Sequence, residues 1–136
     1  MGVAAKPQVE TAIRKRHGTT VLLVEDDEIM RSLTRQMLEE HGYAVIEAKD
    51  GQSALAHVLS GPRIDLVLTD VVMRGMSGPE LSSRLQQSSP SMKVVYMSGY
   101  TGELIAEHDT LQAGITLLEK PFTRAALLRS LDETLG

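Results

Sequence analysis

Four consecutive carboxylates, Glu25-Asp26-Asp27-Glu28, follow the first apolar run of the sequence. Such a cluster repels itself, and a bound cation would relieve the repulsion. Hard oxygen ligands in a small acidic pocket suit Mg²⁺, which keeps several waters and takes one or two carboxylates directly. Acidic residues that favour the dipole at the start of a helix are the alternative interpretation. The run by itself leaves both interpretations open.

A further carboxylate, Asp70, ends the apolar run 64–69 and is followed by a loop that contains Gly75 and Gly78. A carboxylate that is bound to Mg²⁺ and partly dehydrated is a competent nucleophile towards phosphorus and forms an acyl phosphate. The alternative is an aspartate that merely ends a strand. Convergence with the first acidic run favours the chemical interpretation.

Ser98 and Lys120 also end apolar runs. A hydroxyl can donate one hydrogen bond to a phosphate oxygen, and a lysine can neutralise a phosphoryl group. Ser98-Gly99 is equally a common turn dipeptide, and Lys120 is equally a solvated charge at the rim. Pro121 follows Lys120, and an X-Pro bond is where a cis peptide is least unfavourable. A cis bond there would aim Lys120 inward.

These residues are positioned by a pattern that repeats from Val21 onward: an apolar run, a polar junction and an amphipathic stretch. The pattern is typical of βα units around a parallel sheet, whose ligand site lies outside the carboxyl ends of the strands. Gly42 is expected to end the first helix, and Asp50 and Thr123 to cap later ones. The predicted strands are 21–24, 44–46, 64–69, 93–97 and 115–118. The predicted helices are 28–41, 52–60, 79–87, 102–112 and 124–135.

Composition excludes several functions. At 136 residues the chain is expected to be one domain, and a net charge of −4 argues against direct nucleic-acid binding. The absence of cysteine excludes disulfides, thiolate zinc sites and cysteine nucleophiles. The sequence has no membrane-spanning run and no secretion signal, so a cytoplasmic location away from the bilayer is expected. It also has no glycine-rich motif of the kind that binds nucleotides, so nucleotide binding is not indicated. The four histidines have no paired ligand spacing.

Four motifs resemble those of the two-component response regulator receiver domains, in order and spacing, over residues 20–135. They are Val24-Glu25-Asp26-Asp27-Glu28 for the acidic pair, Asp70 in Leu-Thr-Asp-Val-Val-Met for the phosphoacceptor, Ser98 for the hydroxyl residue, and Lys120-Pro121-Phe122. The resemblance implies an α/β fold: a doubly wound, flavodoxin-like sheet of five parallel strands in the order 2-1-3-4-5, with five helices. Residues 1–19 are predicted to be a linker and 20–136 the receiver domain.

The resemblance also implies the site. Asp27 and Asp70 would bind Mg²⁺ through their side chains, Asp26 largely through water, and Val72 through its backbone carbonyl. Ser98 and Lys120 would hold the phosphoryl oxygens. The donor would be a phosphohistidine on a histidine kinase or phosphotransfer domain, and the receiver would assist its own phosphorylation.

Some positions depart from the family pattern or vary within it. Arg74 stands where the family usually has proline, and Leu117 stands where many members have the aromatic residue that acts with the hydroxyl of Ser98 as a switch. By the same resemblance, Val72 and Tyr100 stand at the two positions that flank the path of hydrolytic water in this family. Neither side chain orients water, so both are expected to obstruct it and prolong the life of the phosphorylated state.

Two other functions compete with the switch. Aspartyl-phosphate hydrolases share the strand-end aspartate and Mg²⁺, but they usually need an acid/base carboxylate where this chain has Val72. A docking module that has lost the chemistry is disfavoured by the intact acidic, hydroxyl and lysine positions. The chain is predicted to be either a stand-alone regulator or the receiver domain of a hybrid histidine kinase. In the second case the parent protein could be membrane-anchored. The Val-Val-Met and Met-Ser-Gly-Tyr segments resemble those of hybrid-kinase receivers and favour the second case.

Overall fold

The computed structural model describes residues 17–99 and 116–136. Its strands are β1 Thr20–Val24, β2 Ala44–Ala48, β3 Leu66–Asp70, β4 Lys93–Ser98 and β5 Thr116–Glu119. Its helices are α1 Glu28–Glu40, α2 Gly51–Ser60, α3 Gly78–Ser88 and α4 Arg124–Leu135. The predicted helix 102–112 lies outside the described residues, as does most of the predicted linker.

The strands form one parallel sheet in the order β2-β1-β3-β4-β5. This confirms the predicted α/β class and strand order. β3 begins at Leu66 rather than at residue 64. Directly before it, the Asp65 carboxylate accepts a hydrogen bond of 2.8 Å from the Thr20 backbone N–H. Side chain and backbone of Asp65 thus tie the start of β3 to the start of β1.

Both faces of the sheet are covered, as its continuous apolar strands require. Val21 and Leu23 of β1 face a core shared with α1 and α4, while Leu22 and Val24 face a core shared with α2 and α3. Because successive strand side chains point to opposite faces, one five-residue strand supports both cores. No helix in the described parts of the chain is long and apolar enough to cross a bilayer.

Helix caps follow local chemistry. Asp50 and Thr123 accept hydrogen bonds from the backbone N–H groups of Ser53 and Ala126, which confirms both predicted caps. Gly42 follows the end of α1 with φ 101°, a left-handed conformation that favours glycine. The Lys120-Pro121 peptide is cis, as the sequence suggested.

Candidate functional site

Four strand ends meet at one edge of the sheet. Asp70 and Ser98 are the last residues of β3 and β4, and Glu25 and Lys120 directly follow β1 and β5. The backbone N–H of Lys120 donates a 2.7 Å hydrogen bond to the carbonyl of Ser98, and Asp70 pairs in register with Met97. Parallel pairing therefore brings together residues that are far apart in the sequence.

Lys120 connects two buried carboxylates. Its Nζ lies 2.5 Å from Asp70 Oδ1 and 2.7 Å from Glu25 Oε1. Asp70 is 5% exposed and Glu25 is 2% exposed, so both carboxylates are largely removed from water. The other oxygen of Glu25, Oε2, accepts a 3.1 Å hydrogen bond from the Asp27 backbone N–H. The predicted inward position of Lys120 is present.

The carboxylates that converge are Glu25, Asp26 and Asp70, whose ligand oxygens lie within 4.8 Å of one another. Asp27 is not in this group. Its Oδ1 instead accepts a 3.0 Å hydrogen bond from the Met30 N–H, which makes it the N-cap of α1. The geometry of the group therefore favours Glu25 over Asp27 as a ligand, whereas the sequence led us to expect Asp27. The preference for aspartate directly before a helix could have identified this cap in the sequence.

The pKa values of the two buried carboxylates shift in opposite directions. Burial, together with the neighbouring Glu25, raises the pKa of Asp70 to about 8, although Lys120 opposes the rise. Burial also acts to raise the pKa of Glu25, but hydrogen bonding with Asp70, Lys120 and the Asp27 backbone outweighs it and lowers that pKa. Burial acts to lower the pKa of Lys120, and its two carboxylate partners raise it overall. Without a cation, ionised Asp70 is therefore disfavoured at neutral pH.

Other predicted site residues lie at or near the same edge. Ser98 is buried at the end of β4, while the Val72 side chain is half-exposed beyond β3. Leu117 is partly exposed on β5 and Arg74 is exposed. Arg74 lines a depression with Glu80 and other residues, and neither Glu25 nor Asp70 is among them. Tyr100 lies outside the described residues.

Gly78, the first residue of α3, is a site-adjacent residue that sequence reasoning missed. A Cβ built on it would lie 2.2 Å from the backbone carbonyl oxygen of Asp70. Its backbone N–H donates a 2.8 Å hydrogen bond to the carbonyl of Val71. Only a glycine allows the start of α3 to pack this closely on the end of β3. The Ser77-Gly78-Pro79 run is a visible turn signal, but the close approach depends on the tertiary structure.

Comparisons with known proteins agree with this architecture. The family model for the response regulator receiver domain matches residues 21–132. The chain is 37% identical over 135 residues to the sensor kinase CckA of Brucella abortus, covering 98% of this chain but only 14% of that protein. It is 31% identical over 115 residues to the response regulator receiver protein CpdR of the same organism, covering 85% of this chain and 95% of CpdR.

A solved structure gives the same result. The chemotaxis protein CheY4 of Vibrio cholerae superimposes with a TM-score of 0.75 at 29% identity, covering 86% of this chain and 98% of that one. The chain thus spans nearly all of CheY4 and CpdR, but about one seventh of CckA.

Proposed function

Because the chain belongs to the family of response regulator receiver domains, we propose that Asp70 accepts a phosphoryl group from a phosphohistidine of a histidine kinase or phosphotransfer domain. The observation that carries the proposal is the buried Asp70 carboxylate, 2.5 Å from the Lys120 ammonium and grouped with two further carboxylates. A lone structural aspartate would not need this arrangement.

The donor set fits Mg²⁺. Glu25, Asp26 and Asp70 offer only hard oxygen ligands, and one ammonium group contacts the two buried members. If all three carboxylates are ionised, an excess of two negative charges remains, which a divalent cation neutralises. These three residues would hold the ion, with the Val72 carbonyl as an expected further ligand. When bound, Mg²⁺ would screen the negative charge of the phosphoryl group.

Asp70, Lys120 and Ser98 have separate roles in the phosphoryl transfer. An Asp70 oxygen attacks phosphorus in line, so that a new O–P bond forms as the N–P bond to the donor imidazole breaks. Lys120 already lies beside Asp70 and would transfer its contact to a phosphoryl oxygen. The buried Ser98 hydroxyl would donate to another oxygen.

Phosphorylation would change a partner-binding face through these same contacts. Lys120 directly follows β5 and precedes α4, so moving its ammonium from Asp70 to a phosphoryl oxygen acts on both elements. Leu117, partly exposed on β5, lies in the part of the surface that would respond. The proposed output is a shift between two existing conformations of this face.

A protein donor also needs a surface beside Asp70. Ile29 and Leu33 are 73% and 49% exposed and lie one turn apart on α1, directly after the acidic run. Two large apolar side chains one turn apart offer apolar area that a partner protein could cover. This surface supports a kinase or phosphotransfer domain as the donor.

The test is incubation with Mg²⁺ and acetyl phosphate, followed by intact-mass spectrometry. The parent protein should gain one phosphoryl group and Asp70→Asn none. Asp27→Asn is the matched control, because asparagine also caps helices. A normal adduct on Asp70→Asn would mean that the acceptor lies elsewhere.

A further inference from the structure

Arg31, which lies on α1 outside the group of carboxylates, contacts the chain between two of them. Its Nη1 donates a 2.8 Å hydrogen bond to the backbone carbonyl of Glu25. Its Nε lies 3.0 Å from Glu47 Oε1 on β2. The guanidinium therefore joins α1, β2 and the β1–α1 junction in one contact set.

We infer that Arg31, held by Glu47, is a positioning residue that sets the peptide between Glu25 and Asp26 and thereby aims both carboxylates into the site. We name Arg31, Glu47 and the Glu25 carbonyl the Arg31 clamp. The inference rests on the proposed function, since it concerns the same site.

The geometry of one peptide unit explains the effect. The carbonyl of Glu25 belongs to the planar peptide that joins Glu25 to Asp26. Fixing its direction limits the rotation of that plane, and both flanking side chains turn with it. The backbone N–H of Glu25 is held as well, by a 3.1 Å hydrogen bond to the carbonyl of Ala48. Glu25 is therefore held on both sides of its Cα.

Glu47 is itself well fixed. Its Oε2 accepts from Arg35 Nη1 at 2.5 Å while Oε1 faces Arg31, so the carboxylate has an arginine on each oxygen. Glu47 pairs in register with Leu23 on the neighbouring strand β1. A charged side chain mounted on the sheet is a firmer support than a loop residue.

Arg31 rather than Arg35 orients the peptide between Glu25 and Asp26. Both arginines lie on α1 one turn apart and both pair with Glu47. Arg35 directs its other ion pair to Glu39 of its own helix, whereas Arg31 directs its other contact to the Glu25 carbonyl. The chain thus offers a matched control that removes a similar ion pair without touching the site backbone.

The experiment compares Arg31→Met with Arg35→Met in the full chain. Mg²⁺ affinity is measured by NMR titration, the initial rate with acetyl phosphate at subsaturating Mg²⁺ by mass spectrometry, and local opening by amide hydrogen exchange. Arg31→Met should weaken Mg²⁺ binding about tenfold, the usual scale for the loss of a group that orients a ligand. It should also lower the initial rate and speed amide exchange at residues 25–27. Arg35→Met leaves Glu47 on β2 with its Arg31 contact, so it should stay within about twofold of the parent in affinity.

Arg31→Lys should weaken Mg²⁺ binding less than Arg31→Met does. One ammonium cannot reproduce the planar guanidinium that contacts Glu47 and the Glu25 carbonyl together. Equal losses in Arg31→Met and Arg35→Met, or faster exchange spread evenly over the sheet, would show a merely structural role and overturn the inference. A parent protein that accepts no phosphoryl group refutes the proposed function instead. Amide exchange at residues 25–27 still decides the Arg31 clamp in that case.

Discussion

Replacing Asp70 by asparagine should make the folded protein more stable while abolishing phosphorylation. The pKa of Asp70 rises from 3.8 to about 8, chiefly because the carboxyl is buried and secondarily because Glu25 lies beside it. A buried carboxyl with a raised pKa resists ionisation, so the free energy of unfolding of the protein decreases as the pH increases. Asparagine has nearly the same shape, can still accept a hydrogen bond from Lys120, and never ionises.

The magnitude follows from linkage. The unfolded carboxyl ionises near 3.8 and the folded one near 8, so parent stability falls across that window relative to the variant. At about 1.4 kcal/mol per pKa unit, the difference at pH 7 reaches an upper bound of about 4 kcal/mol. Relaxation of the surrounding groups and entry of water around the ionised carboxyl offset part of the gain. We expect a net gain of about 1–3 kcal/mol at pH 7–8 without Mg²⁺, and none below about pH 4.

Urea unfolding followed by circular dichroism, in EDTA at several pH values between 4 and 8.5, measures this gain. The Asp70→Asn midpoint should exceed that of the parent by about 1 M or more at pH 8. The two curves should approach each other at pH 4. Millimolar Mg²⁺ should stabilise the parent more than the variant and narrow the gap. Asp27→Asn is the control and should match the parent throughout. An Asp70→Asn protein no more stable than the parent at pH 8 in EDTA would refute the reasoning.

Three further outcomes are expected. In an NMR titration Asp26→Asn should weaken Mg²⁺ binding at least about fivefold and Asp27→Asn should not. The reason is that Asp26, and not Asp27, belongs to the converging carboxylates. The reverse result would favour Asp27 as the ligand, as expected from the sequence. Gly78→Ala should lower the free energy of unfolding by about 2 kcal/mol or more in urea titrations, because its Cβ would lie 2.2 Å from a backbone oxygen, and an unchanged midpoint would contradict the close approach. The phosphorylated double variant Val72→Asn, Tyr100→Glu should lose its phosphoryl group faster than the parent in Mg²⁺ buffer, measured by intact mass over time; equal decay would show that the two side chains do not gate water.

Much of the fold was determined by local sequence. β-branched apolar runs alternating with amphipathic stretches defined the βα pattern, and the caps at Asp50 and Thr123 rest on side chains that bond backbone groups three residues away. The phosphoacceptor candidate could be chosen from sequence because it ends a strand, and parallel strands present their carboxyl ends at one edge. These predictions depend on short-range chemistry and on the two-residue period of strands.

Only the tertiary structure decided that Glu25 is the carboxylate of the acidic run that becomes buried. Glu25 is buried against Lys120, 95 residues away, whereas Asp27 caps α1, and the difference is set by where β1 ends and the chain turns. Since neighbouring side chains at a strand end point in different directions, a shift of one residue changes which carboxylate faces the site. The contact of Arg31 with the Glu25 carbonyl likewise needs α1 seated against β2, so no local pattern in the sequence could reveal it.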